Sequence, residues 1–204
     1  MLENIKTFNI SDGVSFKQIK DDKFKTGRIS FNIFMPLQSE TTAANAVALY
    51  SLKNSCEKYK TTTKLNTALN SLYGASLHTN VSKLGETQVL SISIQGLNDK
   101  YIINKEESVS SKLALLLCEI IFKPNLVNKE FNKEDILKAK TELLDILSAQ
   151  YNDKRVYARK RCNELMCKGE AYSICSIGES EDIKKLDAKC VYNAWKNMLS
   201  EARI

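Results

Sequence analysis

Seven glycines and two prolines in 204 residues leave this chain few places to turn sharply. Glycine supplies the left-handed backbone of tight turns, and proline ends helices and central strands. Such scarce punctuation favours long helices and long strands over a sandwich of many short strands. It also leaves little room for flexible linkers. The length suits one large domain or two small ones. Hydrophobic residues at 43% and charged residues at 26% are ordinary for a globular protein.

Three early segments read as extended: "ENIKTFNI" (3–10), "GVSFKQIKDDKF" (13–24) and "GRISFNIFMPL" (27–37). They are short, partly alternating and rich in Ile, Val and Phe. In the third, Ile29, Phe31, Ile33 and Met35 share one face, and Pro36 ends the strand. From Ser39 the period changes. "SETTAANAVALYSLKNSC" reads as an Ala-rich helix with Thr41 or Thr42 as its cap. Thr61 to Thr63 caps a second helix, "KLNTALNSLYG", with Leu65, Leu69 and Leu72 on its buried side and Gly74 as its stop.

Two long strands follow, "ASLHTNVSKL" and "ETQVLSISIQGL", joined at Leu84-Gly85-Glu86. Leu90, Ile92 and Ile94 alternate with polar partners, which predicts a hairpin with one buried face. "SVSSKLALLLCEIIFKPNL" is a helix ended near Pro124. Asn132 caps a long helical stretch, 133–169, with a break expected at Asn152-Asp153. Two short helices complete the chain, the last capped by Asp187. "MLSEARI" leaves that helix and begins to read as a strand. The order predicts an α+β fold: an antiparallel or mixed sheet of about five or six strands with helices packed mainly on one face.

No stretch announces a reaction. A zinc site gathers several His, Cys or carboxylate ligands, yet the chain has one histidine, His78, and no Cys-x-x-Cys. Cys162 and Cys167 lie roughly 140° apart on a helix, too far round to chelate together. Cys118 reads as a small core residue, and Cys56 as the most exposed thiol. The glycines are scattered singly, so no phosphate cradle forms. Glu142 and Asp145 share a helix face, without the burial that acid-base work needs.

The N-terminus carries charges and no apolar core, unlike a signal peptide. No run is long and apolar enough to span a membrane. The expectation from these features is a cytoplasmic chain with its cysteines reduced. The net charge of +6 is modest. "KRVYARKR", Lys154 to Arg161, is basic enough to touch phosphate or an acidic partner, but a solvated helix face accounts for it more simply.

The order of elements, with "EKY" at 57–59, "LYGASLHTN" at 72–80 and "GETQVLSISI" at 85–94, resembles the N-terminal domain of the pitrilysin/insulinase family of zinc peptidases. The resemblance covers nearly the whole chain. In that family the first helix carries His-x-x-Glu-His. Counted back from Cys56, the motif falls on Ala46-Val47-Ala48-Leu49-Tyr50. Ala46 stands in place of the first His, Leu49 in place of the general-base Glu, and Tyr50 in place of the second His. No histidine occurs from 1 to 77. Glu142 or Asp145 is nearest to the family's remaining ligand, and one carboxylate does not hold a catalytic zinc.

The resemblance therefore implies a non-catalytic subunit with no cofactor, although zinc is expected in the family. It implies a single domain over 1–204 that is the N-terminal half of a longer two-domain chain. Its expected partners are an active peptidase-family paralogue, forming a heterodimer, and a peptide or protein substrate. Neither a membrane nor nucleic acid is an expected partner. The peptide would add to the strand Ser76, Leu77, His78, Thr79, Asn80 and Val81 by backbone hydrogen bonds. Two other readings stay open: an active zinc peptidase that borrows ligands from its partner, and a basic protein- or nucleic-acid-binding module using Lys154 to Arg161.

Overall fold

The computed structural model describes residues 5–21, 23–103 and 107–204. Its centre is an antiparallel sheet of three strands in the order β3-β5-β4, where β3 is Thr26–Pro36, β4 is Ser76–Leu84 and β5 is Thr87–Leu97. Alternation decides its faces. Ile33, Leu90, Ile92 and Ile94 are buried. On the opposite face Ser91 Oγ donates to Asn32 Oδ1 and Arg28 Nη2 donates to Ser93 Oγ. A sheet apolar on one side and polar on the other takes its helices on one side.

Those helices are α1 (Ser39–Leu52), α2 (Thr62–Ser71), α3 (Val109–Phe122), α4 (Lys133–Asn152), α5 (Lys154–Met166), α6 (Ser180–Lys185) and α7 (Ala188–Ser200). Helix α1 is the core element. Every residue from Thr42 to Leu52 is buried, because α1 touches α4, α6, α7, β4 and β5. Its alanines let these neighbours approach closely. A helix apolar all round must be covered all round. Helix α3 lies on β5 and β3.

Several caps follow the sequence. The Thr61, Asn132 and Asp187 side chains accept from Lys64, Glu134 and Cys190 amides. The break in the long helical stretch falls at Asp153, which caps α5 through the amides of Arg155 and Val156. Helix α1 differs: it begins at Ser39 after Gln38, with no side-chain cap. The Thr42 hydroxyl bonds back to the Gln38 carbonyl instead. An added hairpin, β6 (Leu126–Val127) with β7 (Glu130–Phe131), turns through Asn128 and Lys129, both in the left-handed region. No glycine marks it, so it was not foreseen.

The expected α+β fold is present, with its strands in separate groups. β1 (Ile5–Ser11) and β2 (Val14–Ile19) pair with each other and form their own two-stranded sheet. Residues 203 and 204 connect it to β3. Arg203 bridges Phe34 of β3, and Ile204 bonds Gly13 and Ser15 beside β2.

Candidate functional site

The three positions that matter most lie on α1. Ala46, Leu49 and Tyr50 are related by three and four residues, so they share a helix face. Ala46 and Leu49 are fully buried, and Tyr50 is 6% exposed. Ala46 and Leu49 carry no donor atom at all. The Tyr50 phenol is raised above its usual range, first by burial and then by the Glu142 carboxylate; the Thr79 hydroxyl nearby eases the rise. A phenol held protonated is a poor metal ligand.

Lys53, the residue closing α1, completes this corner. Its ammonium pairs with Glu142 Oε1 of α4 at 2.5 Å and stands 5.0 Å from the Tyr50 ring centroid. An ammonium has donors only, so it occupies the carboxylate without offering a metal anything. Of the two acidic candidates, Glu142 faces α1, whereas Asp145 is exposed. Among the described residues no three His, Cys, Asp or Glu side chains gather as a metal site would require. The residues here do not fit zinc, on the chemistry of their donors. The Lys53–Glu142 pair spans 89 positions, and no local signal in the sequence announced it.

The second expected site is β4. It pairs with β5 on one side, and no strand among the described residues covers its other side. Leu77 and Val81 pack on the core. Ser76 is half-buried, while His78 and Asn80 are exposed, with His78 Nε2 3.0 Å from Ser76 Oγ. Thr79 points inward, and its buried Oγ1 has no partner at bonding geometry among the described residues. Which amides face the open side follows from the ladder. Phe34 of β3 turns its N–H and C=O away from β5, toward Arg203. Its opposite residue Val89 therefore bonds toward β4, to Ser82. Counting in steps of two, His78 and Asn80 bond β5, and Leu77, Thr79, Val81 and Lys83 face outward. The strand thus lies beside the α1 site, with Thr79 against Tyr50.

Other candidates separate. Cys56 is fully buried, contrary to the expected exposed thiol, because it bridges Pro124 beneath α3. Cys118 is exposed instead, on the outer side of α3. In the basic run, Lys160 lies near Glu164 and Glu179, and Arg161 pairs with Glu164. These carboxylates neutralise part of it. No helix among the described residues is long and apolar enough to cross a membrane.

The fold is metalloprotease-like, and the positions where the resemblance expects the zinc motif lie on a core helix. Comparison with known proteins bears out the resemblance to the pitrilysin/insulinase type. The chain is 26% identical over 192 residues to "Probable inactive metalloprotease YmfF" of Bacillus subtilis strain 168, covering 94% of this chain and 45% of that protein. It superposes on a conserved protein from Enterococcus faecalis V583 with a TM-score of 0.90 at 27% identity, over 98% of this chain and 47% of the other. A peptidase M16 inactive domain from Pseudomonas fluorescens shares the fold, with a TM-score of 0.66 at 14% identity, over 94% of this chain and 43% of that one. No family model matches the sequence. The chain spans less than half the length of these relatives.

Proposed function

We propose that this chain is a non-catalytic pseudo-peptidase domain that binds peptide and helps an active zinc-peptidase partner of the same family to enclose it. One observation carries the reading: the helix that would hold metal and base is packed solid, with Ala46 and Leu49 fully buried and Glu142 taken by Lys53. Water activation needs a metal with an open position or a placed base, and neither has room. The peptide would lie along β4, bonded to the outward amides and carbonyls of Leu77, Thr79 and Val81. The two-domain architecture expected from the resemblance, a heterodimer with an active paralogue and a cytoplasmic setting belong to this same reading. The reading with borrowed zinc ligands is not favoured, because this chain's own carboxylate is already paired. The basic-module reading is weakened by Glu164 and Glu179.

The test is co-purification of the gene product from its own cell, followed by peptide titration. A His-x-x-Glu-His protein should accompany it, and the chain alone should carry no stoichiometric zinc. A bound peptide should lose affinity at least tenfold when its alternate amides are N-methylated, which removes ladder bonds without touching the protein. Zinc at one per chain together with peptide cleavage by this chain alone overturns the proposal. So does equal binding of the methylated peptide.

A further inference from the structure

Between α2 and α3 the surface opens into a groove of about 570 Å³. Its two walls follow from the side chains each helix turns toward it. Leu65 and Leu69 seat α2 in the core, and the α2 residues lining the groove, Ala68 and Ser71, are small and three apart, hence on one face. They leave a trough that larger side chains would fill. On α3, Lys112, Leu115, Leu116, Glu119, Phe122 and Lys123 line the other wall, a stripe repeating at three and four residues. The floor is apolar: Leu116 is buried, and Tyr59 and Leu72 pack on the core. At the lip stand Leu115, 67% exposed, and Phe122, 50% exposed.

The groove is shaped before anything enters it. The Glu57 amide donates to the Lys123 carbonyl at 2.9 Å, and the Cys56 amide to the Tyr59 carbonyl at 3.0 Å. With the Cys56–Pro124 bridge, these bonds pin the 56–59 turn against the end of α3. Thr61 then caps α2. Fixed walls spare a ligand the cost of ordering the site.

Shape and charge decide what fits. From Lys112 to Lys123 the stripe runs about 16 Å, at about 1.5 Å per residue. Two helices flanking a trough of this length receive a third helix, whose own apolar stripe repeats at the same spacing. A lipid surface would need the apolar side chains on a convex or flat face, and here the floor is recessed. An added strand would need an open ladder of amides, which helix walls do not offer. The charges lie at the ends: Lys112 at one, Lys58 and Lys123 at the other. Glu119 is the one carboxylate among the described lining residues, and Lys58 lies 3.7 Å from it. Lys112 lies 3.1 Å from the exposed Glu107. Exposed pairs of this kind are weak, so both ends stay attractive to carboxylates.

We propose that this groove docks an amphipathic helix of a partner protein, about three turns long, with apolar residues on its buried face and carboxylates at both ends. One end meets Lys112, and the other meets Lys58 and Lys123. The docked helix covers Leu115 and Phe122, the large apolar side chains that the domain leaves at the lip. The site uses neither α1 nor β4, so it does not rest on the pseudo-peptidase reading.

Cys118 lines the groove and is exposed, which gives the test its probe. A photo-crosslinking phenylalanine analogue is placed at position 118 of the gene product as the cell makes it. The cells are irradiated, and the captured segment is sequenced by mass spectrometry. The expected capture is a segment of another protein, with apolar residues at three- and four-residue spacing and carboxylates about three turns apart. A synthetic peptide of that segment should bind the purified product. Lys112 and Lys123 are exposed, so they can be reversed without disturbing the core; Lys112→Glu with Lys123→Glu should weaken the peptide at least about tenfold. Exchanging the peptide's carboxylates for lysines should restore binding to that variant. Capture of the same molecule, of a second copy, of lipid or of a segment without carboxylates overturns the proposal. So does no capture, or peptide binding indifferent to the charge reversal. Each of these leaves the pseudo-peptidase reading standing, because that rests on α1.

Discussion

Leu49→Glu places on α1 the side chain that the resemblance would expect of a working peptidase, and the packing there sets a large cost. Leu49 is fully buried. Losing its burial costs about 2 kcal/mol. A glutamate there must be neutral or must draw in water. Holding it neutral at pH 7 against a reference pKa of about 4.3 costs about 3.7 kcal/mol, at about 1.36 kcal/mol per unit. The total approaches 6 kcal/mol, within the range of about 5–15 kcal/mol that stabilises a whole domain. Urea unfolding at pH 7 should show a mostly unfolded or severely weakened protein. At pH 5 the neutralising cost falls to about 1 kcal/mol, so the variant should recover about 2.6 kcal/mol relative to the parent. Leu49→Met, which keeps volume, should cost under about 1.5 kcal/mol. A loss below about 2 kcal/mol for Leu49→Glu, equal at the two pH values, would mean the carboxylate reaches water. Helix α1 would then border an open site, and the argument against catalysis would lose its main support.

Three other substitutions probe the packing around α1. Gln88 is fully buried; it accepts from Asn45 Nδ2 at 3.0 Å and donates to the Thr42 and Ser176 carbonyls at 3.0 and 2.7 Å. Gln88→Met strands those groups and should cost about 2–4 kcal/mol by chemical denaturation. Gly178 has φ of +81°, and an added Cβ would lie 2.5 Å from Ala43 Cβ and 2.7 Å from Ala43 Cα. Gly178→Ala should therefore cost about 2–4 kcal/mol and lower the thermal midpoint; an unchanged midpoint would show that α1 and the 178 turn are not in contact. Asp135 is 5% exposed, and burial raises its pKa, against the Ser55 hydroxyl bond that lowers it. The folded state then holds the proton more tightly than the unfolded state. This group favours folding most below its unfolded value near pH 4, and that contribution is lost as pH rises through its folded value. Asp135→Asn should gain stability relative to the parent over that same rise, measured as paired urea curves from pH 4 to pH 8.

What the sequence disclosed was local, and what it concealed was long-range. The caps at Thr61, Asn132 and Asp187 each use a side chain within three residues of the amide it serves, so spacing alone found them; at Asp153 the sequence showed the break but not the cap. The α1 cap failed because Thr42 bonds a carbonyl behind it rather than an amide ahead. Cys56 and Cys118 were each placed on the wrong side of the surface. Burial of Cys56 depends on Pro124, 68 positions away, through a lone bridge, and α3 shows Cys118 on its outer side. That no histidine or carboxylate stands at Ala46, Leu49 or Tyr50 is read directly from the sequence, and the resemblance alone gives those positions their meaning. The consequence is not so read: Lys53 reaching Glu142 needs α4 laid against α1, which no window of residues reveals.

If the domain acts on a peptide by binding it along β4, as proposed, β4 sets how selective that binding can be. Ladder bonds from Leu77, Thr79 and Val81 read no sequence, since every peptide has the same backbone. Side chains of an added strand alternate as those of β4 do. Half of them would stand beside Leu77, Thr79 and Val81 toward the helices, close to Tyr50. The others would stand beside the exposed His78 and Asn80 on the polar face, at about 4.5–5.5 Å. Cross-strand pairs of this kind are worth about 0.2–1 kcal/mol, which is up to about fivefold in affinity. His78→Glu should therefore shift preference from acidic toward basic peptide residues opposite position 78 by no more than about fivefold, with overall binding retained. Calorimetric titration of a matched acidic and basic peptide pair reads this directly. Loss of all binding would place His78 in the ladder's own energetics, and no change in preference would place the peptide on another edge.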